Sequence, residues 1–119
     1  MRDFKKLNVW LKAHRLTLEV YRLTGTFPRE ERFGLSAQLR RSSASVPTNL
    51  AEGCGRFGER EFAHFVSIAA GSASEAEYQL LLARDLGYVP AERYGQLDAD
   101  VNEVKKMLRA LHARLTANR

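Results

Sequence analysis

Leu97, Val101, Val104, Leu108, Leu111 and Leu115 recur at alternating intervals of four and three residues. That is the heptad spacing of a helix that lays one narrow apolar seam against neighbouring helices. Nothing elsewhere in the chain competes with it as strand. There is no sustained alternation of apolar and polar residues and no Asn-Gly or Asp-Gly pair to turn a hairpin. Helical periodicity, interrupted only by glycine and proline, runs from end to end. A chain patterned this way must bury its seams against one another, which confines it to a bundle of helices.

The punctuation predicts four segments. The first spans about Asp3 to Thr24 and stops at Gly25, with Pro28 beyond. The second spans about Glu30 to Glu52 and runs into Gly53-Cys54-Gly55, with Gly34 placed to split off its first turn. The third spans about Glu59 to Leu86 and ends at Gly87; the fourth begins near Pro90 and reaches Leu115. At 1.5 Å per residue each is roughly 33–42 Å long, and short connections make neighbours antiparallel. The expected fold is all-α: one up-down-up-down antiparallel four-helix bundle across residues 1–119, kinked in its second helix at Pro47. Pro47 has no amide hydrogen, so the carbonyl of Ser43 loses its usual donor, at a cost of about 3 kcal/mol in an unsupported helix. A hydroxyl from Ser43 or Ser45 is the expected replacement. The small residues Ala69 to Ser74 should meet Ser42 to Ser45 in the closest helix crossing.

The first helix is apolar on two sides. Phe4, Leu7, Leu11 and Leu18 share one side, flanked by Trp10 and Tyr21; Val9, Ala13, Leu16, Val20 and Leu23 share the other. A peripheral bundle helix needs one stripe. The second stripe therefore predicts self-association, with Val9, Ala13, Leu16, Val20 and Leu23 at the interface between copies. The competing reading is one broad stripe consumed by the bundle's own core.

Composition excludes several classes. A single cysteine, Cys54, rules out an internal disulfide framework and a multi-cysteine metal site. A lone thiol and a charged N-terminal stretch without an apolar run suit a cytoplasmic protein, and no segment has the roughly 18 apolar residues of a membrane span. Glu61-Phe62-Ala63-His64 is half of a di-iron signature, but His14 and His112 are preceded at the same offset by Leu11 and Arg109. Gly53-Cys54-Gly55-Arg56-Phe57-Gly58 matches a dinucleotide fingerprint, yet a helix and not a strand precedes it. Its glycines read as a helix stop and turn, with Arg56 and Arg60 near the next helix start as the residual support for phosphate. Cys54 has no histidine near it in sequence. No metal, cofactor or catalytic constellation is expected, and the protein is read as a non-enzyme.

The chain carries a net charge of +5, and its first 60 residues hold 12 of the 19 Lys/Arg. Such a balance admits nucleic acid as a partner, or simply keeps a small protein soluble. Arg40 and Arg41 on the second helix and Lys105, Lys106 and Arg109 on the fourth are the candidate phosphate contacts. Ion pairing with Glu59, Glu61, Glu75, Glu77 and Asp85 of the acidic third helix, and with neighbours such as Glu103, is the alternative. Gln38, Arg41, Ser45, Asn49 and Glu52 fall on one face of the second helix. Gln38, Ser45, Asn49 and Glu52 would serve as the contact surface if the chain is instead a protein–protein adaptor.

The chain also carries a set of short motifs: Leu7-x-Val9-Trp10-x-x-Ala13, Phe27-Pro28-x-x-Glu31-x-Phe33-Gly34-Leu35, Gln38-x-Arg40-Arg41 and Ser45-x-Pro47-x-Asn49-x-Ala51-Glu52-Gly53. Phe62 to Phe65, Ile68-Ala69-x-Gly71-Ser72, Glu75-x-Glu77-x-Gln79-Leu80 and Leu86-Gly87-Tyr88 continue the pattern. Together these resemble the bacterial 23S ribosomal-RNA intervening-sequence proteins over nearly the whole chain. Ser43, Thr48, Leu50 and Ala73 are mild departures. The resemblance implies a cytoplasmic up-down bundle that assembles as a homopentamer and has no known catalytic residues. A related branch of that family is thought to bind nucleic acid and a reverse transcriptase. The resemblance therefore implies RNA or DNA, and a protein such as a reverse transcriptase, as partners.

Overall fold

The computed structural model describes residues 2–117; Met1, Asn118 and Arg119 lie outside the described residues. Four α-helices form: α1 (Asn8–Thr24), α2 (Leu35–Cys54), α3 (Glu59–Asp85) and α4 (Ala91–Leu115). Helix α1 starts later than the periodicity suggests. The Asp3 side chain accepts a hydrogen bond from the Lys5 amide (3.0 Å), closing a separate 3-10 turn at Phe4–Lys6 before the extended residue Leu7. Gly34 likewise splits the front of the second segment, leaving a 3-10 turn at Arg29–Glu31 ahead of α2. Gly87 takes φ 83°, and the Tyr88 amide reaches back to the Ala83 carbonyl (2.9 Å). That is the left-handed stop expected after α3.

Each helix packs on the next, and α1 closes the circle against α4, giving a rod of 46 × 23 × 21 Å. The registers run in opposite directions along neighbouring helices. The Arg2 amide, just before α1, donates to the Cys54 carbonyl at the end of α2 (3.0 Å). Thr17 meets Ser43 near mid-height, and Arg40 meets Thr24 at the far end. All six seam residues of α4 are buried, as are Leu39, Leu50 and Leu80. Each large side chain so buried contributes about 1.5–3 kcal/mol before ordering costs.

The expected interface residues are here corrected. Val9, Ala13, Leu16, Val20 and Leu23 all lie inside this chain's own core, Val20 at 0% exposure. A second copy could touch them only by opening the bundle. The outward side of α1 is the other stripe, where Leu11, Leu18 and Tyr21 are 37%, 41% and 46% exposed. The physical reason is legible in the spacing. Val9, Ala13, Leu16, Val20 and Leu23 keep the same four-three rhythm as the α4 seam, whereas the other stripe is broken by His14 and Arg15.

Helix α2 runs through Pro47 as one element, with Pro47 buried. The carbonyl freed by the proline is answered from outside the helix: Thr17 of α1 directs its hydroxyl at Ser43 O (3.0 Å), while also lying 2.9 Å from Ala13 O. The two serines expected to do this are occupied. Ser43 donates to Arg40 O (3.2 Å), and Ser45 shares a hydrogen bond with Ser72 of α3 (2.8 Å). On the α3 side, Ser42 donates to the buried Gln79 carbonyl oxygen (2.6 Å). The glycine that this crossing requires is Gly53. A Cβ there would stand 2.8 Å from Phe62 Cδ1 and 2.9 Å from Phe65 Cβ, whereas one on Gly71 would meet nothing within 4 Å.

Candidate nucleic-acid interface

Antiparallel packing gathers the starts of α1 and α3 and the ends of α2 and α4 at one end of the rod. Cut at the helix midpoints, that half (residues 2–16, 45–72 and 103–117) carries eleven Lys/Arg against five Asp/Glu. The opposite half (residues 17–44 and 73–102) carries seven against nine. The charge excess is therefore axial, and α4 alone shows it: residues 91–102 carry one Lys/Arg against three Asp/Glu, and residues 103–115 carry four against one.

The five candidate phosphate contacts do not form one patch. Arg40 and Arg41 lie in the acidic half and turn to opposite seams. Arg40 Nε donates to Thr24 Oγ1 (2.7 Å), and its guanidinium lies over the Tyr21 ring (4.7 Å to the centroid). Arg41 pairs with Glu75 of α3 (2.7 Å). Lys105, Lys106 and Arg109 stand together on α4, in the basic half. Lys105 reaches Glu77 (2.7 Å), and this hydrogen bond holds the Glu77 carboxyl below the usual carboxylate range. Lys106 and Arg109 are exposed and, among the described residues, pair with no carboxylate.

Arg109 opens onto a cleft of about 250 Å³ between α3 and α4. Val66, Ser67, Ala70 and Ser74 line it from α3; Lys105, Leu108, Arg109 and His112 line it from α4. The cleft exists because α3 presents only small side chains at this height, so α4's long basic side chains have nothing to pack against. No carboxylate is among its lining residues. Sequence reasoning missed Ser67, Ser74 and His112. The available signal was the outer edge of the small-residue run: Ser67, Ala70, Gly71 and Ser74 share one helix face, and it looks towards the basic strip of the next helix.

The polar ridge on α2 is largely spent inside the bundle. Asn49 Nδ2 donates to Ser45 O (2.8 Å) and to Ser45 Oγ (2.9 Å), while Ser45 also meets Ser72. Glu52 pairs loosely with Arg56 (3.5 Å), and Gln38 is exposed. Of the four adaptor candidates, Gln38 and Glu52 point outward; Ser45 and Asn49 stitch α2 to α3 and steady the turn around Pro47.

Glu61 and His64 are exposed, and among the described residues no three His, Cys, Asp or Glu come together. Cys54 is buried, and burial pushes its thiol upward in pKa. The glycine run after α2 is a turn, closed by Gly58 at φ 95°. Among the described residues no helix is long and apolar enough to cross a membrane.

The α1–α4 seam is the most open of the four. Two clefts, of about 400 and 330 Å³, meet there at Asn8 and Met107. Lys12–Asp100 (3.8 Å) and the Glu19–Arg93 pair bridge it. Outside it stands the exposed stripe of α1.

This architecture, with its motifs in place, matches the sequence profile described as 23S rRNA-intervening sequence protein over residues 5–110. The chain belongs to that family. Among solved structures it is similar to a crystal structure of a protein with unknown function from the S23 ribosomal protein family of Bacteroides thetaiotaomicron. The TM-score is 0.82 at 26% identity, covering 87% of this chain and 97% of the other. No curated protein matches the sequence.

Proposed function

We propose that this member of the 23S rRNA-intervening sequence protein family is a non-enzymatic, cytoplasmic protein that self-associates and binds RNA or DNA through its basic half. The observation that carries this is the axial separation of charge, with Lys106 and Arg109 free of carboxylate partners among the described residues. Exposed cations on a rigid surface neutralise phosphates and release counterions; they read little sequence. Self-association uses the outward stripe of α1 around Leu11, Leu18 and Tyr21, in place of the buried stripe. A side-by-side ring, pentameric if it follows the family resemblance, would bring several basic ends together and strengthen their field.

Fluorescence anisotropy with a short single-stranded RNA tests the reading. Binding should weaken steeply between 50 and 200 mM salt, at the order-of-magnitude slopes known for phosphate contacts. Lys106→Glu with Arg109→Glu should abolish it while circular dichroism stays unchanged. Binding that ignores salt, or survives the double reversal, would refute it. A protein-adaptor role ranks second, because of its four candidates on α2 only Gln38 and Glu52 point outward, and Glu52 already pairs loosely with Arg56.

A further inference from the structure

We infer that the α3–α4 cleft is a seat for one phosphate group, held by Arg109 and His112 from α4 and by one serine hydroxyl from α3, Ser67 or Ser74, which stand two turns, roughly 10 Å, apart. The inference rests on the nucleic-acid reading for its biological ligand and names where on the basic half a backbone phosphate would dock. Three observations converge. The lining carries a guanidinium, an imidazole and an ammonium on one wall and two hydroxyls on the other, with no carboxylate between them. Arg109 and the Ser67 and Ser74 hydroxyls have no hydrogen-bond or ion-pair partner among the described residues, so their donors are available. The floor is closed by the buried side chains of Val66 and Leu108, which makes the site concave and limits water behind the ligand.

Size and chemistry select the ligand class. Pockets for drug-sized molecules run to about 300–1,000 Å³, so a cleft of about 250 Å³ suits a smaller group. No Phe, Tyr or Trp lines it, and its single ring, the His112 imidazole, is a smaller stacking platform than nucleobases commonly use. A tetrahedral oxyanion with several acceptor oxygens matches the donors on both walls. Lys105 is tied to Glu77 at the rim, so it contributes field more than a contact. Such a seat favours a phosphate that protrudes from a flexible single strand over one flush with a duplex groove.

The test fills the cleft without altering its charge. Ser74→Leu, and separately Ala70→Leu, place an aliphatic group in the space and leave Lys105, Lys106 and Arg109 in place. Each variant is checked by circular dichroism and thermal melting, then titrated with a 12-nucleotide RNA and, by amide and side-chain NMR, with inorganic phosphate and with acetate. The expected result is a loss of RNA affinity of at least tenfold in either variant. In the wild type, phosphate should give saturable shifts at Arg109, His112 and Ser67 or Ser74 that acetate does not reproduce. RNA binding at wild-type affinity in both filled variants, while the Lys106/Arg109 reversal abolishes it, would sink the seat and leave the broader nucleic-acid reading standing. Should the wild type bind no RNA, the broader reading fails alone, and the phosphate titration decides the seat: saturable shifts confined to the cleft uphold it, and shifts that are absent or equal with acetate overturn it.

Discussion

Helix α2 and the α1–α4 seam are built on opposite plans. Helix α2 is fastened on both flanks by neutral hydrogen bonds, several of them buried: Thr17 to Ser43, Ser42 to Gln79, Ser45 with Ser72. Gly53 lets α3 approach until Phe62 and Phe65 leave no room for a methyl group. The α1–α4 seam instead leaves two clefts and is bridged by charges, Lys12 with Asp100 and Glu19 with Arg93. Buried neutral bonds are indifferent to salt and costly to leave half-made, whereas exposed ion pairs are screened and contribute little. The bundle thus has a fixed spine and a pliable side, and the pliable side carries the exposed apolar stripe of α1. Under the proposed self-association, a surface that adapts to a second copy would gain from lying there.

The largest expected effects test the spine. Gly53→Ala overpacks the crossing and should cost about 1–3 kcal/mol in urea denaturation. Thr17→Val should cost a similar amount, about 1–3 kcal/mol, because the Ser43 carbonyl is left buried without a donor. In a Pro47→Ala background that cost should shrink, since the new amide at position 47 can serve Ser43; an undiminished cost would assign the Thr17 effect to packing. Gly71→Ala goes the other way. Its Cβ would meet open space, so the helix should gain about 0.5–1 kcal/mol.

Smaller effects belong to the open seam. The Arg93 hydrogen bond to Glu19 holds that carboxyl below its ordinary pKa. Its stabilising contribution is complete above the unfolded carboxylate value of about 4.3 and is lost as pH falls through the lower folded value. Acid should therefore loosen the α1–α4 seam before α2, visible as earlier loss of amide-exchange protection along the facing sides of α1 and α4. Leu18→Glu should change chain stability by no more than about 0.5 kcal/mol, yet convert an oligomer to a monomer in sedimentation. Sedimentation identical to wild type would remove α1's outer stripe from the interface. Lys12→Ala is expected to be smallest, roughly 0.2 kcal/mol and vanishing at high salt.

The amino-acid pattern revealed those features that depend on neighbours along the chain. The α4 seam, the stop at Gly87 and the break at Gly34 each follow from spacing or from one residue's backbone preference. It misled where two faces of one helix were both greasy. Choosing between Val20 and Leu18 as the inward residue needed the four-three rhythm of the whole stripe, not hydrophobicity. Thr17 was invisible as the partner of Ser43 because the two are 26 residues apart in sequence and meet only when α1 lies antiparallel to α2. The α3–α4 cleft was half legible: the basic strip stands out, but Ser74 reads as part of the small-residue packing run and Ser67 lies outside that run. Arg40 and Arg41, adjacent in sequence, were expected to act together. A helical step of about 100° sends them to different seams.

The lengthwise separation of charge gives the molecule an electric dipole along its long axis. In the field of a polyanion, a rod of this kind feels a torque that swings its positive tip forward before contact. It would arrive tip-first, with the Arg109 side leading and the Arg93 side trailing. Copies standing parallel would inherit that polarity as a cup with a receptive mouth and a repelling base. Which mouth an anionic strand enters would then be decided in solution, before any side chain touches it.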